Sequence, residues 1–173
     1  MTPSQKEAIP PLHQLTRQNN YFEDFEVGEL IVSSRGRTLS DTEHMAWTSI
    51  VMNTAQLHFN QAMVDESPQT YFNGRRVVYG GIVFAFVAGL ASEDTTENAL
   101  AELSFNNGRH LNPVFAGDTL FAESLVVSRR DSPDREDAGI VAFQLIGRNQ
   151  DGKVVLEIDR EVLLKKKSHW IKR

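Results

Sequence analysis

The sequence predicts a single α+β domain in which an antiparallel sheet is wrapped around one long central helix. Residues 82–92 form an apolar run without a charge, which is typical of a helix buried on most sides. From residue 99 onward, apolar positions recur with a period of two, as in strands with one face in a core. The chain has 173 residues and 40% hydrophobic content, enough for one core. A buried helix beside one sheet requires the sheet to cover it.

The N-terminal part is predicted to contain an arm, a strand and a helix. Residues 1–20 hold two adjacent prolines and many Gln and Asn, so we expect a flexible arm. Residues 29–38 alternate as a strand does. Ser40 and Glu43 form a capping-box pattern, which predicts a helix over residues 41–51.

That first helix is expected to be buried on more than one side, because its apolar residues have mixed spacing (Met45, Trp47 and Ile50). A short helix is predicted over residues 61–66. A turn-rich stretch marked by Asn73-Gly74 then leads to the central helix.

Four strands are predicted after the central helix, at residues 100–110, 119–130, 139–149 and 153–165. Turn residues separate them, and Asp151-Gly152 is a hairpin signal between the last two. The folded domain is therefore expected to span residues 21–167, with a C-terminal tail at residues 168–173.

Composition disfavours several classes of function. The formal net charge of −5 argues against nucleic-acid binding, which requires a basic surface. The chain has no cysteine, and no His, Asp or Glu residues have metal-ligand spacing, so no metal site is expected. Residues 1–20 lack the apolar core of an export signal, and the apolar run is about half the ~20 residues that span a membrane. We therefore expect a cytoplasmic protein that does not enter a membrane.

One candidate for proton chemistry is His58, in a polar turn between two predicted helices. Histidine is the side chain best suited to moving protons near neutral pH. Asn53 lies at the end of the preceding helix, so the two side chains can converge, and its amide can orient a water. The alternatives are a satisfied surface histidine and an asparagine that only adopts left-handed backbone at a helix end.

A second candidate segment is Gly80-Gly81, at the start of the central helix. First-turn N–H groups, reinforced by the helix dipole, can form an oxyanion hole for a thioester carbonyl. The alternative is a requirement for close packing. Tyr79 is expected either to line the site or to belong to the core. Arg109 is a candidate for binding a substrate phosphate or carboxylate, the alternative being a solvated strand end.

These motifs resemble the MaoC-like dehydratase family, which has the hot-dog fold and includes R-specific enoyl-CoA hydratases. The similarity runs from about residue 21 to residue 164, and residues 21–28 and 113–120 contribute to it. The family motif begins with Asp and ends with His. Here Asn53 replaces the Asp and His58 is kept, while Tyr79-Gly80 replaces His-Gly. The string Asn-Thr-Ala-Gln-Leu-His looks most like the branch that handles mesaconyl-CoA and β-methylmalyl-CoA.

The resemblance implies a hydratase/dehydratase that interconverts a short, branched or carboxylated enoyl-CoA and its 3-hydroxyacyl-CoA. His58 would carry the proton, Asn53 would position water, and Gly80 and Gly81 would hold the carbonyl oxygen. The family implies a homodimer or a dimer of dimers, with no cofactor besides the CoA of the substrate. Two alternatives stay open: a hot-dog acyl-CoA thioesterase, and a non-catalytic acyl-CoA-binding partner of a heteromeric dehydratase.

Overall fold

A five-stranded sheet packed against one long helix forms the protein, as seen in a computed structural model that describes residues 20–170. In chain order the elements are β1 (Leu30–Thr38), α1 (Asp41–Ile50), α2 (Gln61–Glu66), α3 (Gly80–Thr95), β2 (Ala99–His110), β3 (Thr119–Asp131), β4 (Ala138–Arg148), β5 (Val154–Lys165) and α4 (Lys167–Trp170). One-turn 3-10 helices lie at Phe22–Asp24 and Gln56–His58. The predicted α+β architecture is confirmed.

The strands follow the order β1-β3-β4-β5-β2, and every neighbouring pair is antiparallel. Each predicted strand is confirmed, with ends that differ by at most one residue from the prediction. Within residues 20–170, β2 pairs only with β5, so β2 is an edge strand.

The central helix α3 is longer than the predicted segment at both ends, because the prediction followed only the apolar run. The helix begins at Gly80 and continues through the charged Glu93 to Thr95. Its last turn is stabilised by the Thr95 hydroxyl, which donates to the carbonyl oxygen of Ala91 at 2.6 Å. Glu93 forms an ion pair with Arg35 of β1.

The main core lies between α3 and one face of the sheet. Buried side chains from the helix, such as Val87, pack with buried leucines of three strands (Leu120, Leu145 and Leu156). Burying one such side chain contributes ~1.5–3 kcal/mol. A second cluster packs the N-terminal 3-10 turn on the sheet, with Phe25 edge-on to Phe143 at a ring-centroid distance of 5.2 Å. The start of α3 is held by the main core, which includes Ile82 and Val83.

Helix α1 is a surface helix, and the prediction that it is buried on more than one side was wrong. Its buried residues are His44 and Thr48, one turn apart, and the Thr48 hydroxyl donates to the carbonyl oxygen of His44 at 2.7 Å. Trp47 and Ile50 are exposed instead. The spacing of the apolar residues is mixed because Trp47 and Ile50 form an apolar patch on the exposed side of the helix. The predicted capping box of Ser40 and Glu43 is present.

Most of the predicted arm, residues 1–19, lies outside the described residues. Asn20 is buried, and its side-chain amide donates to the carbonyl oxygen of Glu93 at 2.7 Å. At the other end, Lys167 begins α4 and its ammonium group pairs with Asp24. In residues 20–170 no helix is both long and apolar enough to cross a membrane.

Candidate active site

Asn53 lies just after α1, in a loop that turns sharply at Met52. The left-handed residue of this turn is Met52, with a φ of 50°, so a left-handed requirement does not explain Asn53. The side-chain oxygen of Asn53 accepts a hydrogen bond from the Ala55 N–H at 2.8 Å. The amide NH2 group of Asn53 has no hydrogen-bond partner among residues 20–170. Asn53 lines an open depression of about 370 Å³ together with Thr48 and Phe59.

His58 ends the 3-10 turn, and one nitrogen of its ring is anchored. Its Nδ1 lies 2.8 Å from the carbonyl oxygen of Val77. A carbonyl oxygen can only accept, so Nδ1 carries the proton and Nε2 of the neutral ring carries the lone pair. The half-buried ring therefore has a fixed orientation, and its Nε2 has no hydrogen-bond partner within residues 20–170.

Tyr79 connects His58 to the start of α3. The two rings meet edge-on, with centroids 5.7 Å apart. The Tyr79 ring also covers Gly81, where an added Cβ would lie 2.5 Å from Cε1 of the tyrosine. A glycine is therefore needed at position 81 for Tyr79 to remain against His58.

The first turn of α3 presents unpaired backbone donors. The N–H groups of Ile82 and Val83 donate to the carbonyl oxygen of Tyr79 at 2.9 and 3.4 Å. Within residues 20–170, no acceptor pairs with the N–H groups of Gly80 and Gly81, as expected for the first residues of a helix. The segment before them is held in place because the Val78 N–H donates to the carbonyl oxygen of Val114 at 2.8 Å. These donors and the helix dipole favour negative charge at this position.

The structure thus brings His58, Tyr79, Gly80 and Gly81 together, whereas Asn53 and His58 form no direct hydrogen bond. Arg109 is placed differently. It pairs in the sheet with Glu157, and its guanidinium donates to the Glu157 carboxylate at 2.8 Å. The next residue, His110, pairs with the core residue Leu156, so Arg109 lies on the sheet face away from α3. Its predicted role in substrate binding stays a prediction.

Two further histidines lie near these elements. His44 is fully buried in α1, and neither ring nitrogen has a hydrogen-bond partner within residues 20–170. Burial lowers the pKa of His44, and the positive charge of Arg76 lowers it further. His110, at the end of β2, lies against Gly80. His110 was not predicted as a site residue, because no local pattern connects residue 110 with residue 80.

No group of three or more His, Asp or Glu side chains within residues 20–170 is arranged to hold a metal ion. The chemistry available in this part of the chain is that of an imidazole with one anchored nitrogen, connected through the Tyr79 ring to a helix start that carries two N–H donors. The imidazole of such a site can accept a proton, and the N–H donors can stabilise a developing oxyanion.

Sequence comparisons associate the chain with a known family. The sequence profile of mesaconyl-CoA hydratase matches residues 33–166. A β-methylmalyl-CoA dehydratase of Chloroflexus aurantiacus is 35% identical over 161 residues, which cover 84% of this chain and 44% of the relative. A mesaconyl-CoA hydratase of Cereibacter sphaeroides is 32% identical over 152 residues, with coverages of 88% and 43%. The chain spans about half the length of these curated relatives.

Solved structures share the fold. A protein described as a MaoC domain dehydratase, from Chloroflexus aurantiacus, superposes with a TM-score of 0.77 at 34% identity, covering 86% of this chain and 45% of that one. A double hot-dog protein of Mycobacterium tuberculosis gives a TM-score of 0.75 at 24% identity, covering 88% of this chain and 46% of that one, and shows the fold alone. The hot-dog fold and the MaoC-like family that the motifs predicted are confirmed. The chain belongs to the mesaconyl-CoA hydratase family of MaoC-like dehydratases.

Proposed function

We propose that this chain reversibly adds water across the double bond of a short, branched or carboxylated enoyl-CoA. The observation that carries the proposal is the position of His58. Its Nδ1 is anchored on Val77, and its ring lies against Tyr79, immediately before the unpaired N–H groups of Gly80 and Gly81. Addition of water to an unsaturated thioester needs a proton carrier and a binding site for an enolate oxygen.

The glycine N–H groups are assigned to the thioester carbonyl. When hydroxide character adds at the β-carbon, the electron pair of the double bond moves toward the carbonyl, and its oxygen becomes enolate-like. Donors aimed at that oxygen stabilise the transition state more than the ground state. Removing one donor of this type typically costs ~2.7–4 kcal/mol of barrier.

His58 is assigned both proton transfers. Its Nε2 takes a proton from water as the oxygen attacks the β-carbon, and the resulting imidazolium gives that proton to the α-carbon as the enolate collapses. The net result is addition of one H and one OH, and the imidazole returns to its starting state. Dehydration follows the same steps in reverse. A single base suffices, so the missing family carboxylate at position 53 is not required for the proton balance.

Asn53 is assigned the positioning of water. Its side-chain oxygen is occupied by the Ala55 N–H, so its NH2 group is the part that can donate to a water oxygen. This leaves a lone pair of the water for the attack and a proton for His58. An amide does not titrate in the working pH range, so Asn53 does not serve as a second base.

The substrate class is inferred from the names of the relatives, β-methylmalyl-CoA dehydratase and mesaconyl-CoA hydratase. Such substrates bring their own carboxylate, which supplies negative charge near the reacting carbons and compensates for the absence of a protein Asp. Arg109 would have to exchange Glu157 for that carboxylate to take part.

The proposal is tested by incubating the purified chain with mesaconyl-CoA and with crotonyl-CoA. We expect loss of the enoyl absorbance without release of free thiol, and faster turnover of mesaconyl-CoA. Thiol release would instead support the thioesterase. Absence of turnover of both compounds at high enzyme concentration would contradict the proposal.

A second candidate function is a non-catalytic acyl-CoA-binding partner in a heteromeric dehydratase. The observation that favours it is Asn53 in place of the family Asp. If the chain is such a binding partner, it should bind acyl-CoA but show no turnover until another subunit is added. Asn53→Asp separates the two candidates: raised crotonyl-CoA hydration in the isolated chain supports a specialised enzyme, whereas an inert variant favours the binding partner. Asn73→Asp, in an exposed turn, is the matched control.

A further inference from the structure

His110 lies directly against the first residue of α3. A Cβ atom added to Gly80 would stand 2.5 Å from Nε2 of His110, 2.9 Å from Cε1 and 3.0 Å from Cδ2. The Nε2 end of the imidazole therefore occupies the space that a side chain at position 80 would fill. A glycine is therefore required at position 80 for His110 to keep this place against the helix start.

Strand geometry sets the direction of this side chain. His110 pairs with Leu156, which belongs to the core under α3, whereas its neighbour Arg109 pairs with Glu157 on the other face. The register of β2 against β5 shifts between Asn106 and Arg109, so the end of the strand is repositioned just before His110. The imidazole is thereby presented to the helix start.

The two glycines are flanked by different side chains. Tyr79, with His58 against it, covers Gly81, while His110 covers Gly80. Successive Cβ directions in a helix diverge by about 100°, so Tyr79 and His110 approach the helix start from different sides. The N–H groups of both glycines belong to the first turn of the same helix.

The state of the His110 ring suits it to donate. Although the residue as a whole remains exposed, its ring is desolvated where it covers Gly80, and this burial lowers the pKa of His110. The positive end of the helix dipole also disfavours an imidazolium at this position. Neither ring nitrogen has a hydrogen-bond partner within residues 20–170. A neutral imidazole has one N–H to give.

We propose that His110 is a further catalytic residue of this site, whose Nε2–H donates to the thioester oxygen alongside the N–H groups of Gly80 and Gly81. The inference rests on the proposed hydratase function. No proton leaves His110 during the reaction. The hydrogen bond strengthens as negative charge moves onto the oxygen, and it weakens again when the α-carbon is protonated by His58.

The direct test compares His110→Phe with His110→Gln in the full chain, with mesaconyl-CoA as substrate. Phe preserves a flat ring without a donor, whereas Gln returns an N–H at a similar reach. We expect kcat to fall about 10²–10³-fold in His110→Phe with a smaller change in KM, and to recover in part in His110→Gln. His169→Gln, on α4, is the matched histidine control and should leave turnover unchanged.

Wild-type kcat in His110→Phe, with an unchanged thermal melt, would overturn the inference while the hydratase function stands. A wild-type chain without hydratase activity would overturn both. Equal losses in His110→Phe and His110→Gln would also count against a donor, because packing alone would then explain the effect.

A second set of variants tests whether His110 and Gly80 act together. In the wild-type background, Gly80→Ala must push the imidazole away and should lower kcat. In the His110→Ala background, the added methyl group has room and should cost little more. An equal loss from Gly80→Ala in both backgrounds would contradict the proposed coupling.

Discussion

Two histidines only fourteen residues apart in the chain have opposite environments. His44 on α1 is fully buried, with both ring nitrogens unpaired among residues 20–170. His58 in the following 3-10 turn is half-buried, with one nitrogen anchored on Val77 and the other available. Burying a polar group without a hydrogen-bond partner costs about 1–3 kcal/mol. Burial of an imidazole also disfavours its protonated form. Proton transfer instead needs a ring that is oriented by one nitrogen and reachable at the other.

The first and largest expected effect is on turnover, and it separates the two histidines. We expect His58→Ala to lower kcat for mesaconyl-CoA about 10²–10⁴-fold, because the proposed proton carrier is lost. His44→Leu keeps a similar volume and should leave kcat of the same order. Steady-state assays of both variants, with circular dichroism to confirm folding, make the comparison. Equal losses in both would remove the distinction.

A smaller loss is expected when the contact that connects His58 to the helix start is disturbed. Gly81→Ala places a methyl group 2.5 Å from the Tyr79 ring, so the tyrosine must move off His58. We expect kcat to fall about tenfold to a hundredfold from misplacement of the reacting groups. Gly89→Ala in the same helix is the control, since nothing lies within 4 Å of the added atom. It should preserve kcat and raise stability by about 0.5–1 kcal/mol.

The third effect concerns pH and stability. The folded protein holds the pKa of His44 below its ordinary value of 6.5 through burial and the charge of Arg76. The unfolded chain therefore takes up a proton that the folded chain excludes, and the stability contribution of neutral His44 is lost as pH falls below about 6.5. His44→Leu should show a shallower decline in urea-unfolding midpoint between about pH 7.5 and pH 5.5. An identical decline would mean that His44 is hydrated.

The smallest effect tests the start of the helix that carries His44. The Ser40 hydroxyl accepts from the Glu43 N–H at 3.1 Å, so Ser40→Ala should cost about 1 kcal/mol and lower Tm by about 2–4 °C. Ser49→Ala is a suitable control, because the Ser49 hydroxyl only donates to the Met45 carbonyl within the same helix. A Tm decrease of equal size in both variants would exclude a specific role for the cap.

Local signals predicted most of the fold. The alternation of residues 139–149 and the Asp151-Gly152 turn are consequences of backbone geometry, and the strand ends were correct within one residue. The burial of α1 was not predicted correctly, since His44 and Thr48 face inward while Trp47 faces solvent. Which side of a short helix is covered depends on distant segments, here the one that contains Arg76, and the sequence of the helix alone does not contain that information.

The candidate site could be predicted only in its local parts. His58 and Gly80-Gly81 have recognisable residue types and spacing. The anchor of His58 is a backbone carbonyl, that of Val77, and any residue could supply it. The contact between Gly80 and His110 joins two segments thirty residues apart, and it depends on the register of β2 in the sheet.

One NMR titration tests most directly whether His58 and the helix start face a common substrate site. Chain labelled with ¹⁵N is titrated with succinyl-CoA, a saturated carboxylated thioester that cannot be hydrated. We expect the amide signals of Gly80 and Gly81 and the ring nitrogens of His58 to shift with the same Kd, while Gly89 and His169 stay unchanged. Glycine shifts without any response of the His58 ring, or no response at either place, would contradict the proposed site.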